Sequence, residues 1–96
     1  MIVSLVEPKK LSRLFDDFYS CERIFKKLTS GGRIKRVSPG NNAVYIEGFW
    51  FNPYLEVEQQ VTIVVFYNGE KIEFNNDGNV LSFKLVKFIQ ELGYDI

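Results

Sequence analysis

The apolar positions of this chain follow two periods, and the change from one to the other divides it. From Leu11 to Leu28, the residues Leu11, Leu14, Phe15, Phe18, Cys21, Ile24, Phe25 and Leu28 recur at steps of three and four, which gathers side chains on one face of an α-helix. Pro8 suits a first helical turn, where a missing N–H is not needed, and Ser30-Gly31-Gly32 supplies the permissive backbone that ends a helix. The spacing predicts a helix over about residues 8–29. Ahead of it, Ile2 to Val6 reads as a short strand or an apolar arm.

After the glycine pair the period becomes two. Arg33 to Ser38, Ala43 to Phe51, Tyr54 to Tyr67 and Glu70 to Asn75 read as strands, separated by the turn formers Ser38-Pro39-Gly40-Asn41, Asn52-Pro53 and Asn68-Gly69. Connections this short require antiparallel neighbours. From Val80 to Leu92 a stripe of Leu81, Leu85, Phe88, Ile89 and Leu92 predicts a second helix, with Asn79 as N-cap and Gly93 as its stop. The expected fold is α+β in one domain over 1–96: a two-layer, four-stranded antiparallel meander with N- and C-terminal helices on one face, in the order α-β-β-β-β-α.

Turn chemistry then sets expectations for register. Asn68-Gly69 is a favoured two-residue hairpin signal and pairs Val65 with Ile72 and Ile63 with Phe74, both inward, with Phe66 against Lys71 and Val64 against Glu73 outward. A connection centred on Asn52-Pro53 pairs Phe51 with Tyr54, Trp50 with Leu55 and Gly48 with Val57, and it sets Glu47 opposite Glu58. A loop of Pro39-Gly40-Asn41 places Ile34 inward opposite Ile46 and turns Arg33, Lys35 and Val37 outward.

Composition narrows the chemistry. Ninety-six residues, 46% hydrophobic and 25% charged, are enough for one packed core without staples. The chain contains no histidine, which removes imidazole acid–base catalysis, the Ser-His-Asp and Cys-His arrangements and the usual zinc sites. The single cysteine, Cys21, falls on the apolar side of the first helix, where a thiol is expected to be buried and inert. None of the glycines forms a phosphate loop or a dinucleotide fingerprint. The longest uncharged apolar run, Val61 to Tyr67, is far shorter than the roughly 20 residues that cross a bilayer, and no signal-peptide pattern opens the chain. These features give the expectation of a soluble, cytoplasmic, cofactor-free protein that is not an enzyme and has no membrane partner.

The outer sheet face is the informative surface. The strand parity places Tyr45, Phe49, Phe51 and Tyr54 there as aromatic anchors, with Glu47, Glu58, Arg33 and Lys35 as their polar surround. An exposed aromatic group of this size is expected to meet a partner. The preferred reading is a small interaction protein that binds another protein, or itself as a homodimer, through this face. Its size and plainness fit an accessory or inhibitor protein of a phage or other mobile element.

Two alternatives rest on charge. Lys26, Lys27, Arg33, Lys35 and Arg36 form a basic stretch that could contact the phosphates of a single-stranded nucleic acid while sheet aromatics stack on bases. A sheet followed by a helix is also loosely similar in layout to some single-stranded-DNA-binding coactivator folds. Net charge argues against this: residues 1–40 carry nine Lys/Arg against four Asp/Glu, residues 41–96 carry three against eight, and the halves cancel. Nucleic-acid-binding domains commonly exceed a pI of about 9. The second alternative is a divalent metal held by Glu47, Glu58 and Glu56, whose expected crowding would otherwise be relieved by Arg33 or Lys35.

Overall fold

A computed structural model describes residues 12–67, 71–76, 78–91 and 93. The elements are α1 (Phe18–Thr29), β1 (Arg33–Pro39), β2 (Ala43–Asn52), β3 (Val57–Phe66), β4 (Lys71–Asn76), β5 (Asn79–Lys84) and α2 (Leu85–Glu91). The strands form one antiparallel sheet in the order β1-β2-β3-β4-β5. The class is the expected α+β, but with five strands rather than four. The expectations for residues 2–6 and 8–11, for the tip Asn68-Gly69 and for Leu92 lie outside the described residues.

The first predicted helix is interrupted: residues 12–14 are helical, the chain turns over 15–17, and the helix resumes at Phe18. Asp17 breaks the periodic run because its carboxylate accepts the Tyr19 N–H at 2.9 Å and the Ser20 hydroxyl at 3.3 Å, which makes it an N-cap rather than a mid-helix residue. Phe18 consequently leaves the apolar stripe and is exposed, whereas Phe15, ahead of the cap, is buried. The end falls where expected: Ser30 takes the left-handed conformation and the Gly31 N–H bonds the Lys26 carbonyl at 3.0 Å.

The second predicted helix divides in two. Residues Asn79–Lys84 pair along their whole length with β4, setting Leu81 against Phe74 and Phe83 against Ile72, and only Leu85–Glu91 are helical. The tip between Asn76 and Asn79 is Asp77-Gly78, a strong hairpin pair by sequence, and Gly78 has φ +87°. Turn chemistry therefore outweighs a helical stripe that Leu81 and Leu85 had suggested.

The core lies on one side of the sheet. Val44, Ile46, Val61, Ile63, Val65, Ile72 and Phe74 meet Phe15, Cys21, Ile24 and Phe25 from the N-terminal side and Leu85 from α2. Gly48 lets α1 approach: a Cβ there would stand 2.5 Å from the Phe25 ring and would overlap the Arg33 carbonyl. Lys27 of α1 reaches Glu91 of α2 at 3.6 Å, so the two helices also meet at their ends.

A candidate protein-binding face

The outer face begins with the register. β3 and β4 pair as the turn chemistry predicts, Val65 with Ile72 and Ile63 with Phe74. The β2–β3 register is displaced by four residues: Asn52 pairs with Val57, Phe51 with Glu58, Trp50 with Gln59 and Gly48 with Val61. The cause is the side chain of Asn52. Its Oδ1 accepts the Tyr54 and Leu55 N–H groups at 2.9 and 3.3 Å, its carbonyl accepts the Glu56 N–H at 2.8 Å, and Glu56 turns the chain back with φ +54°. Asn52 thus closes a four-residue loop, 53–56, instead of sitting at a two-residue tip.

A displacement of four keeps every β2 side chain on its expected face, but it changes the neighbours. Glu47 lies opposite Thr62 and Glu58 opposite Phe51, so the expected carboxylate pair does not form. Tyr54 leaves the sheet for the loop, where it is 89% exposed. Leu55 and Val57, expected inward beside Trp50 and Gly48, are exposed at the same tip.

β1 differs in a second way. Arg33 pairs with Phe49, Ile34 with Gly48, Val37 with Ile46 and Arg36 with Glu47, with a bulge at Lys35. The extra residue moves Val37 to the core side, against expectation, and brings Arg36 rather than Lys35 to the outer face. The connection is also tighter than a Pro39-Gly40-Asn41 loop: the Gly40 N–H bonds the Ala43 carbonyl at 2.8 Å, which leaves Asn41 and Asn42 at the tip.

These shifts produce an ordered surface. The Arg33 guanidinium lies 5.0 Å from the centre of the Phe49 ring and donates to Glu58 Oε1 at 2.8 Å. Arg36 Nε donates to Glu47 Oε2 at 2.6 Å. At the other end Lys71 Nζ stands 5.0 Å from the Phe66 ring centre and 3.1 Å from Glu73. Exposed Phe51, Tyr54, Leu55 and Val57 therefore crowd the β2–β3 tip, and Tyr45 is exposed further down β2. Beside the tip a cleft of about 390 Å³ runs between the end of α1 and the outer face, lined by Gly31, Gly32, Arg33, Phe49, Phe51 and Glu58. Gly32 is needed there, because a side chain would strike the Phe49 carbonyl.

Of the anchors and surround expected from sequence, Tyr45, Phe49, Phe51, Glu47, Glu58 and Arg33 share this face, with Tyr54 at its tip and Lys35 in the bulge. Leu55 and Val57 were missed because the assumed register buried them. Four of the five basic-stretch residues already face carboxylates: Lys26 with Glu22 at 3.9 Å, Lys27 with Glu91, Arg33 with Glu58 and Arg36 with Glu47. Among the described residues, no group of three or more Asp, Glu, Cys or His side chains is placed to hold a metal ion, and no helix is long and apolar enough to cross a membrane. Cys21 is fully buried, with Sγ 3.3 Å from the Phe15 carbonyl, and burial followed by the nearby Asp17 and Asp16 carboxylates pushes its thiol up to about 11.

Comparisons with protein-family models, with curated proteins and with solved structures each found no match to this chain.

Proposed function

We propose that this is a non-enzymatic binding protein that engages a protein partner, another chain or a second copy, through the β2–β3 tip and the adjoining outer sheet face. The exposed run Phe51, Tyr54, Leu55 and Val57 carries the reading: four large apolar side chains gather at one tip beside a cleft, with the charge-paired Arg33 and Glu58 at their border. Apolar anchors inside a polar surround are the usual anatomy of a protein interface. Phosphate recognition is less well supported, since four of the five side chains of the basic stretch already have carboxylate partners and the net charge is zero.

The test is Phe51→Asp. The side chain is 59% exposed, so the variant should keep the wild-type circular dichroism while losing a partner that immobilised wild-type protein retains. Equal retention by both proteins would remove the tip from the binding surface. Binding of a labelled single strand that falls steeply with salt would replace a protein partner with a nucleic acid.

A further inference from the structure

The two edges of the sheet are built differently. β1 is guarded by its bulge at Lys35, by Pro39 and by the cations Arg33, Lys35 and Arg36, all devices that discourage pairing with another chain. β5 lacks the bulge and the proline. It runs against β4 for six residues without a register break, has Lys84 as its one charged residue, and is exposed at every position except Phe83. Among the described residues nothing pairs with its free side. Leu81 points to the helix-bearing side of the sheet, opposite Phe74, and yet is 58% exposed.

We propose that a second copy of this chain pairs antiparallel with β5, joining two five-stranded sheets into one of ten strands. A two-fold axis perpendicular to the sheet keeps each face on its own side, so residues of like parity must meet. The register centred on Ser82 satisfies the side chains. It sets Leu81 against Phe83 of the partner subunit and repeats that apolar pair by symmetry, while Val80 lies under the aliphatic stem of Lys84 of the partner subunit. A centre at Leu81 would instead place Phe83 against Asn79 of the partner subunit, and a centre at Phe83 would call on Leu85, which already belongs to α2.

Light scattering coupled to size exclusion, run from low to high protein concentration, should show a monomer–dimer equilibrium. Leu81→Lys puts a charge into both symmetric pairs at an already exposed site and should weaken the dimer more than about tenfold, with unchanged circular dichroism. Ser82→Cys should give a disulfide-linked dimer under mild oxidation, since the native Cys21 is buried and does not compete. Val80→Cys should not, because its two copies lie roughly 13 Å apart in this register. A monomer at every concentration, a dimer insensitive to Leu81→Lys, or linkage through Val80→Cys as readily as through Ser82→Cys overturns the proposal. Phe51→Asp should leave the dimer intact, so failure of this edge and failure of the tip as a binding surface are read separately.

Discussion

At the residue scale, Gly48 and Cys21 show how little room the core leaves. Gly48 sits where the Phe25 ring and the β1 backbone converge, and any side chain would push one of them away. Gly48→Ala should cost about 1–3 kcal/mol of stability, as overpacking of a filled core does, and chemical denaturation would measure it; a neutral result would mean that α1 can lift from the sheet. Cys21 makes stability depend on pH. Its thiol is pushed from an ordinary 9.0 up to about 11, so the native state holds its proton more tightly than the unfolded chain does. That contribution, of order 2–3 kcal/mol, is complete below pH 9 and is lost as pH rises toward 11. The Tyr67 hydroxyl is also pushed up, chiefly by burial and then by Cys21, and it acts in the same direction at higher pH. Denaturation midpoints across the alkaline range should therefore fall more steeply for wild type than for Cys21→Ala.

At the element scale, Asn52 decides the shape of the β2–β3 hairpin. Besides closing loop 53–56, its Nδ2 donates to Gln59 Oε1 at 3.0 Å, and Gln59 Oε1 also accepts from Asn76 Nδ2 at 3.1 Å. A polar ladder thus crosses β2, β3 and β4 beyond the cover of α1. Asn52→Ala should lose about 1–3 kcal/mol, because two loop N–H groups and one amide ladder bond go unpartnered together; an unchanged melting temperature would contradict that role. The same residue marks the limit of what the sequence reveals. Asn52-Pro53 announces a turn, and parity alone then assigns the faces of β2 and β3. The loop length depends on where the Asn52 side chain bonds, which pattern does not encode. β4 was legible because Asn68-Gly69 and the apolar pairs agree. β5 was not, because Leu81, Leu85 and Phe88 satisfy a helical spacing while Asp77-Gly78 between two asparagines signals a hairpin, and local turn geometry prevails.

At the scale of the whole molecule, the extents of 43 × 27 × 24 Å describe an elongated body. Three surface features are set apart on it: the apolar tip at the far end of β2–β3, the edge at β5, which is unpaired among the described residues, and the guarded edge at β1. The aromatic identity of the outer face was readable from alternation alone, because a displacement of four residues preserves parity. The bulge at Lys35 was not readable, and it is why Val37 and Arg36 exchange the sides expected of them.

β3 is longer than its neighbour on one side. It pairs with β2 over its full length, but with β4 only from Thr62 to Phe66, and β1 follows β2 only as far as Phe49, so among the described residues Val57 to Gln59 and their partners Asn52 to Trp50 form a two-stranded end. A two-stranded end has little cooperativity of its own, and here side chains rather than a ladder tie it to β4: Gln59 accepts from Asn76, and the Trp50 ring packs on that of Phe74. The molecule therefore holds a five-stranded platform and a less supported arm in one continuous strand. A ligand that clamps the arm would tighten it against solvent exchange while leaving the core's own stability almost untouched, so that recognition and folding become separable properties of the same ninety-six residues.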